Sequence, residues 1–196
     1  MIKPNTFHVT PESSLSFSQL SGDYNPLHID GEAARRMKFG GAVVHGMHLC
    51  LQTLEMWLQN MTDPVDLIDI DCHFSNPVHH DDCVELFQEE REGEIQWTLK
   101  VEGDITSAIT VQWQTGDSSS ISDGHDSIPS DIWPRVNCKN RQITEAARLS
   151  GSTDLRLDDD LLNRLFPAIA KKLSRANTAV LLAGTRIVGM EIPGLH

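Results

Sequence analysis

Between Gly46 and Met61 the chain reads GMHLCLQTLEMWLQNM, and no other stretch restricts its fold so strongly. Met47, Cys50, Leu51, Leu54, Trp57, Leu58 and Met61 fall at helical spacing, while Leu49 and Met56 put apolar groups off that stripe. A helix that is apolar around most of its circumference has to be surrounded, not laid on a surface. The sequence that follows supplies the surround. Ile68, Ile70, Cys72 and Phe74 alternate with Asp69, Asp71 and His73, and Val84 to Gln88 can form a second strand. Ile95, Trp97, Leu99 and Val101 alternate again, and so do Ile105, Ile109, Val111 and Trp113. Each run has one apolar face, and the short loops between runs suit antiparallel pairing. The expectation is an α+β fold in which a curved antiparallel sheet wraps around one long central helix.

Other elements fit around this core. A short extended piece is expected over Thr6 to Thr10, then a helix from Pro11 and Glu12 to Leu20, which Gly22 breaks. DYNP, residues 23–26, reads as a turn. Asp30 is a good N-cap for the short helix GEAARRMK, which ends at Gly40 and Gly41. Residues 116–131, GDSSSISDGHDSIPSD, have no apolar periodicity and read as a linker or loop. Beyond them LDDDLLNRLFPAIAKKL is an amphipathic helix capped by Asp158 or a neighbour, with Pro167 as a break or kink. The organisation expected is a first domain over 1–115, a linker over 116–131 and a mainly helical C-terminal segment over 132–196.

Charge narrows the function. A formal net charge of −12 argues against non-specific nucleic-acid binding and against docking on anionic membranes, since both want a basic face. It leaves room for an anionic ligand held by a local cluster of cations. No apolar run approaches a membrane span, and the start, MIKPNTFHVT, lacks the apolar core of a signal peptide. The four cysteines, Cys50, Cys72, Cys83 and Cys138, form no CxxC and no regular framework. Free thiols in a reducing cytoplasm are the simple expectation.

The chemistry concentrates in FSQLSGDYNPLHIDGEAA, residues 17–34. Asp23 alone could make an Asx-turn, and His28 alone could be a satisfied, half-buried histidine. Together, five residues apart with a rigid Asn-Pro between them, they can face one point in space. A carboxylate and an imidazole titrating near about 6.5 can remove a proton from water and return one to carbon. Each such transfer contributes typically ~10²–10⁴ in rate.

Phe17, Leu20-Ser21-Gly22-Asp23, Asn25-Pro26-Leu27-His28 and Ala34 resemble the hydratase signature of the MaoC-like dehydratases, which include the R-specific enoyl-CoA hydratases and have the hot-dog fold. KFGGAVVHGM and FSNPVHHDDCVEL are similar in order and spacing, so the resemblance covers about residues 5 to 115. It implies addition of water across the C2–C3 double bond of a trans-2-enoyl thioester, or the reverse dehydration. By that resemblance Asp23 activates water, and His28 orients it and takes part in protonating C2. Gly46, at the start of the central helix, supplies an oxyanion donor, and no cofactor is implied. The family also places a serine about two turns into that helix to hold the catalytic aspartate; counting from Gly46 lands on Leu54, with Thr53 the nearest hydroxyl.

Weaker signals complete the reading. Arg35, Arg36 and Lys38 are candidates for the phosphates of CoA or phosphopantetheine, with a solvated helix face as the equal alternative. His79-His80-Asp81-Asp82-Cys83 has none of the usual zinc spacings, and a metal is rejected there. Cys50 belongs to the core and is not read as a nucleophile. TRIVGMEIPGLH resembles the approach to the central helix of a second hot dog, so the chain is similar to a cut double-hot-dog protein, with a helical extension as the plainer alternative. The expected partner is an acyl-CoA or acyl carrier protein thioester, with a homodimer as the assembly. A non-catalytic acyl-binding or dimerisation module, or a thioesterase, stands as the alternative function.

Overall fold

The computed structural model describes residues 5–37, 39–116 and 157–186. Five strands form one antiparallel sheet: β1 (Asn5–Phe7), β2 (Val65–Phe74), β3 (Val84–Arg91), β4 (Glu94–Val101) and β5 (Asp104–Thr115), in the order β1-β3-β4-β5-β2. Four helices precede β2: α1 (Pro11–Ser21), α2 (Pro26–Ile29), α3 (Gly31–Arg36) and the central α4 (Gly46–Gln59). Three more follow at the C-terminal end: α5 (Asp159–Leu165), α6 (Pro167–Lys172) and α7 (Arg175–Arg186). This is the expected α+β arrangement, a hot-dog fold with a helical C-terminal region.

The core forms where the inner face of the sheet meets α4. Leu51, Leu54 and Leu58 of the helix are fully buried with Ile95, Trp97 and Leu99 of β4 and Ile109 and Val111 of β5. Trp57 packs edge-on against both Trp97 and Trp113, with ring centroids 5.7 and 5.3 Å apart. The strict alternation expected for β2 and β5 is broken in two places. A register shift between Leu67 and Asp69 turns Ile68 outward, to 61% exposure, and leaves Leu67, Ile70 and Cys72 against the core. A second shift, opposite Leu99 and Lys100, puts Thr106 and Ser107 inside and Ile105 out. One extra residue in a strand reverses the side on which its neighbours point.

The C-terminal helices are tied to the far end of α4. Glu55, buried on the helix, accepts hydrogen bonds from the Ala168 N–H on both carboxylate oxygens and from the Ile169 N–H on Oε2, all at 2.9 Å. It thereby caps the start of α6, where Pro167 ends α5 and opens the next helix. Lys172 reciprocates: its Nζ donates to Leu58 O at 2.8 Å and Met61 O at 2.6 Å, capping the carbonyl end of α4. Phe166, fully buried, packs edge-on to Phe17 of α1 and His48 of α4. Glu55→Ala leaves two buried amides without their acceptor and is expected to cost about 3 kcal/mol, read from urea unfolding followed by tryptophan fluorescence. A loss below 1 kcal/mol would mean that water replaces the carboxylate. The suggested second hot dog and its PGLH lie outside the described residues, as do the 116–131 linker beyond Gly116, and Cys138.

Candidate active site

Local chemistry explains why the motif holds its shape. Thr10 caps α1 by accepting from the Ser13 N–H, and Gly22 ends that helix in the left-handed region at φ 75°. Ser21 Oγ donates to Phe17 O and accepts from the Asp23 N–H, which pins the chain as it leaves the helix. Asp23 Oδ1 accepts from the Asn25 N–H at 3.0 Å, and Asn25 Oδ1 accepts in turn from the Leu27 N–H. The DYNP turn is therefore a helix start, with Asn25 as N-cap of α2 and Pro26 in its first turn. His28 stands on the last turn of α2 and donates from Nδ1 to Val43 O at 2.8 Å. That bond fixes the tautomer of the neutral ring and leaves the lone pair on Nε2.

A third side chain completes the cluster. His45, the N-cap residue of α4, is buried with its ring stacked on His28 at 3.8 Å between centroids. Its Nε2 lies 3.3 Å from the backbone carbonyl of Asp23, 3.5 Å from Ser18 Oγ and 3.9 Å from Asp23 Oδ2. A carbonyl can only accept, so Nε2 carries the proton. Burial, with His28 and His48 nearby, pushes the His45 pKa down to about 2, so this imidazole is neutral. His48, one turn along, is pushed to about 3, chiefly by burial; its ring stacks on Phe17 at 4.5 Å and its Nε2 meets Ser13 Oγ. Asp23, His28 and His45 hold ligand atoms within 4.8 Å of one another, the set of described residues with the donor types and spacing to take a metal ion. The 79–83 run is built otherwise: His79 donates from Nε2 to Phe39 O and from its amide to Asp82, which makes it a structural loop.

Gly46 follows His45 at the head of α4. The first amides to bond back within the helix are those of His48 and Leu49, both to His45 O, so the Gly46 and Met47 N–H groups lie at the positive end of the dipole. A Cβ at Gly46 would fall 2.8–2.9 Å from three atoms of the Phe74 ring, so any larger residue there would have to push that ring aside. Beside it opens a cavity of about 220 Å³ lined by Phe39, Val43, Val44, Leu49, Phe74 and Val78, together with Ser75, Asn76 and Pro77. Leu54 is fully buried in the core, and Thr53 Oγ1 donates to Leu49 O at 2.9 Å within its own helix. Arg35 and Arg36 are exposed on α3, Arg36 paired with Glu32 one turn back; Lys38 lies outside the described residues. Cys50 is buried with Sγ 3.7 Å from Cys72 Sγ, and its thiol pKa is raised by that contact and by burial.

A sheet wrapped on one helix, with an acid and two imidazoles gathered at that helix's N-terminus, defines a hot-dog protein. The MaoC like domain family model matches residues 2–112, more than half of the chain, and the chain belongs to that family. No curated protein matches it. Among solved structures it is similar to the C-terminally truncated HadBC (3R-hydroxyacyl-ACP dehydratase) complex of Mycobacterium tuberculosis, at 14% identity and TM-score 0.50, over 57% of this chain and 91% of that one. HtdX of the same organism is 24% identical at TM-score 0.50, over 57% of this chain and 45% of that one. The (R)-hydratase of A. caviae involved in PHA biosynthesis is 20% identical at TM-score 0.43, over 59% of this chain and 98% of that one. At these identities the likeness to the two M. tuberculosis structures shows the fold.

Sequence reasoning named Asp23, His28 and Gly46, and the fold brings all three to the head of α4. It missed His45. The signal was present in VVHGM, where a histidine immediately precedes a helix-starting glycine and so has to lie at that helix's N-cap.

Proposed function

We propose that the chain hydrates trans-2-enoyl thioesters to (R)-3-hydroxyacyl thioesters, or dehydrates them in reverse. The observation that carries this is the placement of Asp23 and His28 at the N-terminus of α4, where a thioester oxygen can meet the Gly46 amide. Water held between Asp23 and His28 adds its oxygen to C3. One of its protons passes to that pair, and a proton is returned to C2, so H and OH are added and nothing else is consumed. As the C3–O bond forms, charge moves onto the thioester oxygen, and a preorganised donor there is worth about 2.7–4 kcal/mol. The apolar cavity beside Val43 and Val44 takes the acyl tail. Arg35 and Arg36 on α3, with Lys38, serve the phosphates of CoA or of a carrier's phosphopantetheine. Two copies pair along β2, the ten-residue strand at one edge of the sheet, whose strand neighbour is β5.

The test follows the conjugated enoyl absorbance of crotonyl-CoA and of the crotonyl carrier-protein thioester, with the configuration of the product determined. Loss of absorbance with an (R)-3-hydroxy product is expected. A cooperatively folded protein that turns over neither thioester would overturn the reading in favour of a non-catalytic acyl-binding module.

A further inference from the structure

Resting on the hydratase reading, we propose that His45 is a positioning residue that holds Asp23 and His28 in register with each other. Three contacts converge on one ring. Its Nε2–H donates to the main-chain carbonyl of Asp23 and lies 3.9 Å from Oδ2 of the same residue. Its face backs the His28 ring at 3.8 Å, while Val43, two residues before it, accepts from His28 Nδ1. The edge of Phe17, from the helix that delivers Gly22 and Asp23, meets it at 5.0 Å. One side chain thus touches both members of the acid–imidazole pair and begins the helix that carries Gly46.

Thr53 spends its hydroxyl on Leu49 O and Leu54 is apolar, so no side chain deeper in the helix supplies a hydroxyl for Asp23. The ring is neutral, so it can stack on His28 without opposing the charge that His28 acquires when it takes a proton. The titratable groups that face it are Asp23 from the α1–α2 turn, His28 from α2, His48 from α4 and His80 from the β2–β3 connection. His80 is itself held below the ordinary imidazole range, mainly by desolvation.

Two substitutions separate donor from ring. His45→Gln keeps an N–H at the reach of Nε2 and loses the stack; His45→Phe keeps the stack and loses the donor. Misplacement of reacting groups by an ångström costs about 10²-fold, so His45→Phe is expected to lower kcat about 10²-fold with KM within twofold. His45→Gln, which keeps the donor that sets the Asp23 main chain, is expected to recover kcat to within about tenfold of the parent. Equal losses in both, tracking a fall in melting temperature, would reduce His45 to a packing residue and overturn the proposal. A second readout needs no turnover: in ¹H–¹⁵N spectra of the histidine rings, His28 should show the Nδ1–H tautomer in the parent and an altered tautomer or titration midpoint in both variants. Unchanged His28 signals would overturn the positioning role. A parent that hydrates no thioester, with His28 signals that do change, would sink the hydratase reading and leave the positioning role standing.

Discussion

Asp23→Asn is expected to lower the rate of enoyl-thioester hydration about 10³-fold while the protein still folds, in the middle of the range for loss of a general base. The substitution suits the site because the Asn25 N–H can still donate to the side-chain carbonyl oxygen that replaces Oδ1. The Ser21 contact to the residue 23 amide and the His45 contact to its carbonyl use only main-chain atoms. What disappears is the charge and the capacity to take a proton from water. Stopped assays with crotonyl-CoA, alongside a thermal melt, decide the matter. Retention of more than a tenth of the parental kcat would remove Asp23 from the chemistry and leave His28 as the base.

The second large effect is a loss of stability in acid. His45 and His48 are neutral in the folded protein, with pKa values pushed down to about 2 and about 3, chiefly by burial. In the unfolded chain both return to about 6.5. Below that pH the unfolded state binds protons that the folded state refuses, so folding stability is complete above pH 6.5 and falls as the pH drops. Each histidine removes roughly 1.4 kcal/mol per pH unit, and by pH 4.5 the pair removes about 5 kcal/mol, a large part of an ordinary domain's margin. His48→Phe preserves the stack on Phe17 and deletes one of the two groups. Urea midpoints at pH 7.5 and 5 should differ markedly in the parent and by about half as much in His48→Phe. The same difference in both proteins would assign the acid sensitivity to other groups.

Much of this was legible before any coordinates. The ring of apolar positions on residues 46–61 called for a surrounding sheet, and Trp97, Leu99, Ile109 and Val111 line it as their alternation requires. Asp30 and Asp158 cap their helices as expected, and Pro167 divides α5 from α6. The failures have local causes. Ile68 and Ile105 fit the alternation as written, but a register shift beside each reverses its side, and no residue type announces a shift of that kind. Glu55 reads as one polar position on an apolar helix; its partners lie more than a hundred residues away in sequence, and spacing carries no information over that distance. His45 was hidden because a residue ahead of a glycine is read for where the helix begins, not for what its ring covers. Phe74 on Gly46 is a contact across two elements, visible only once β2 is laid against α4.

The double anchoring of α4 has a mechanical consequence. Its fourteen residues make a rod about 21 Å long. At one end stand the Gly46 and Met47 amides, and at the other Lys172 grips the carbonyls of Leu58 and Met61, with Glu55 bound to α6 a turn before. A rod held so does not slide freely against its sheet. Its axial setting is chosen jointly by the motif near the amino end of the chain and by a segment read some 110 residues later. Anything that binds, cleaves or displaces α5 to α7 therefore acts on the Asp23, His28 and His45 cluster through the length of the helix, and those three helices become a handle on a site they do not touch.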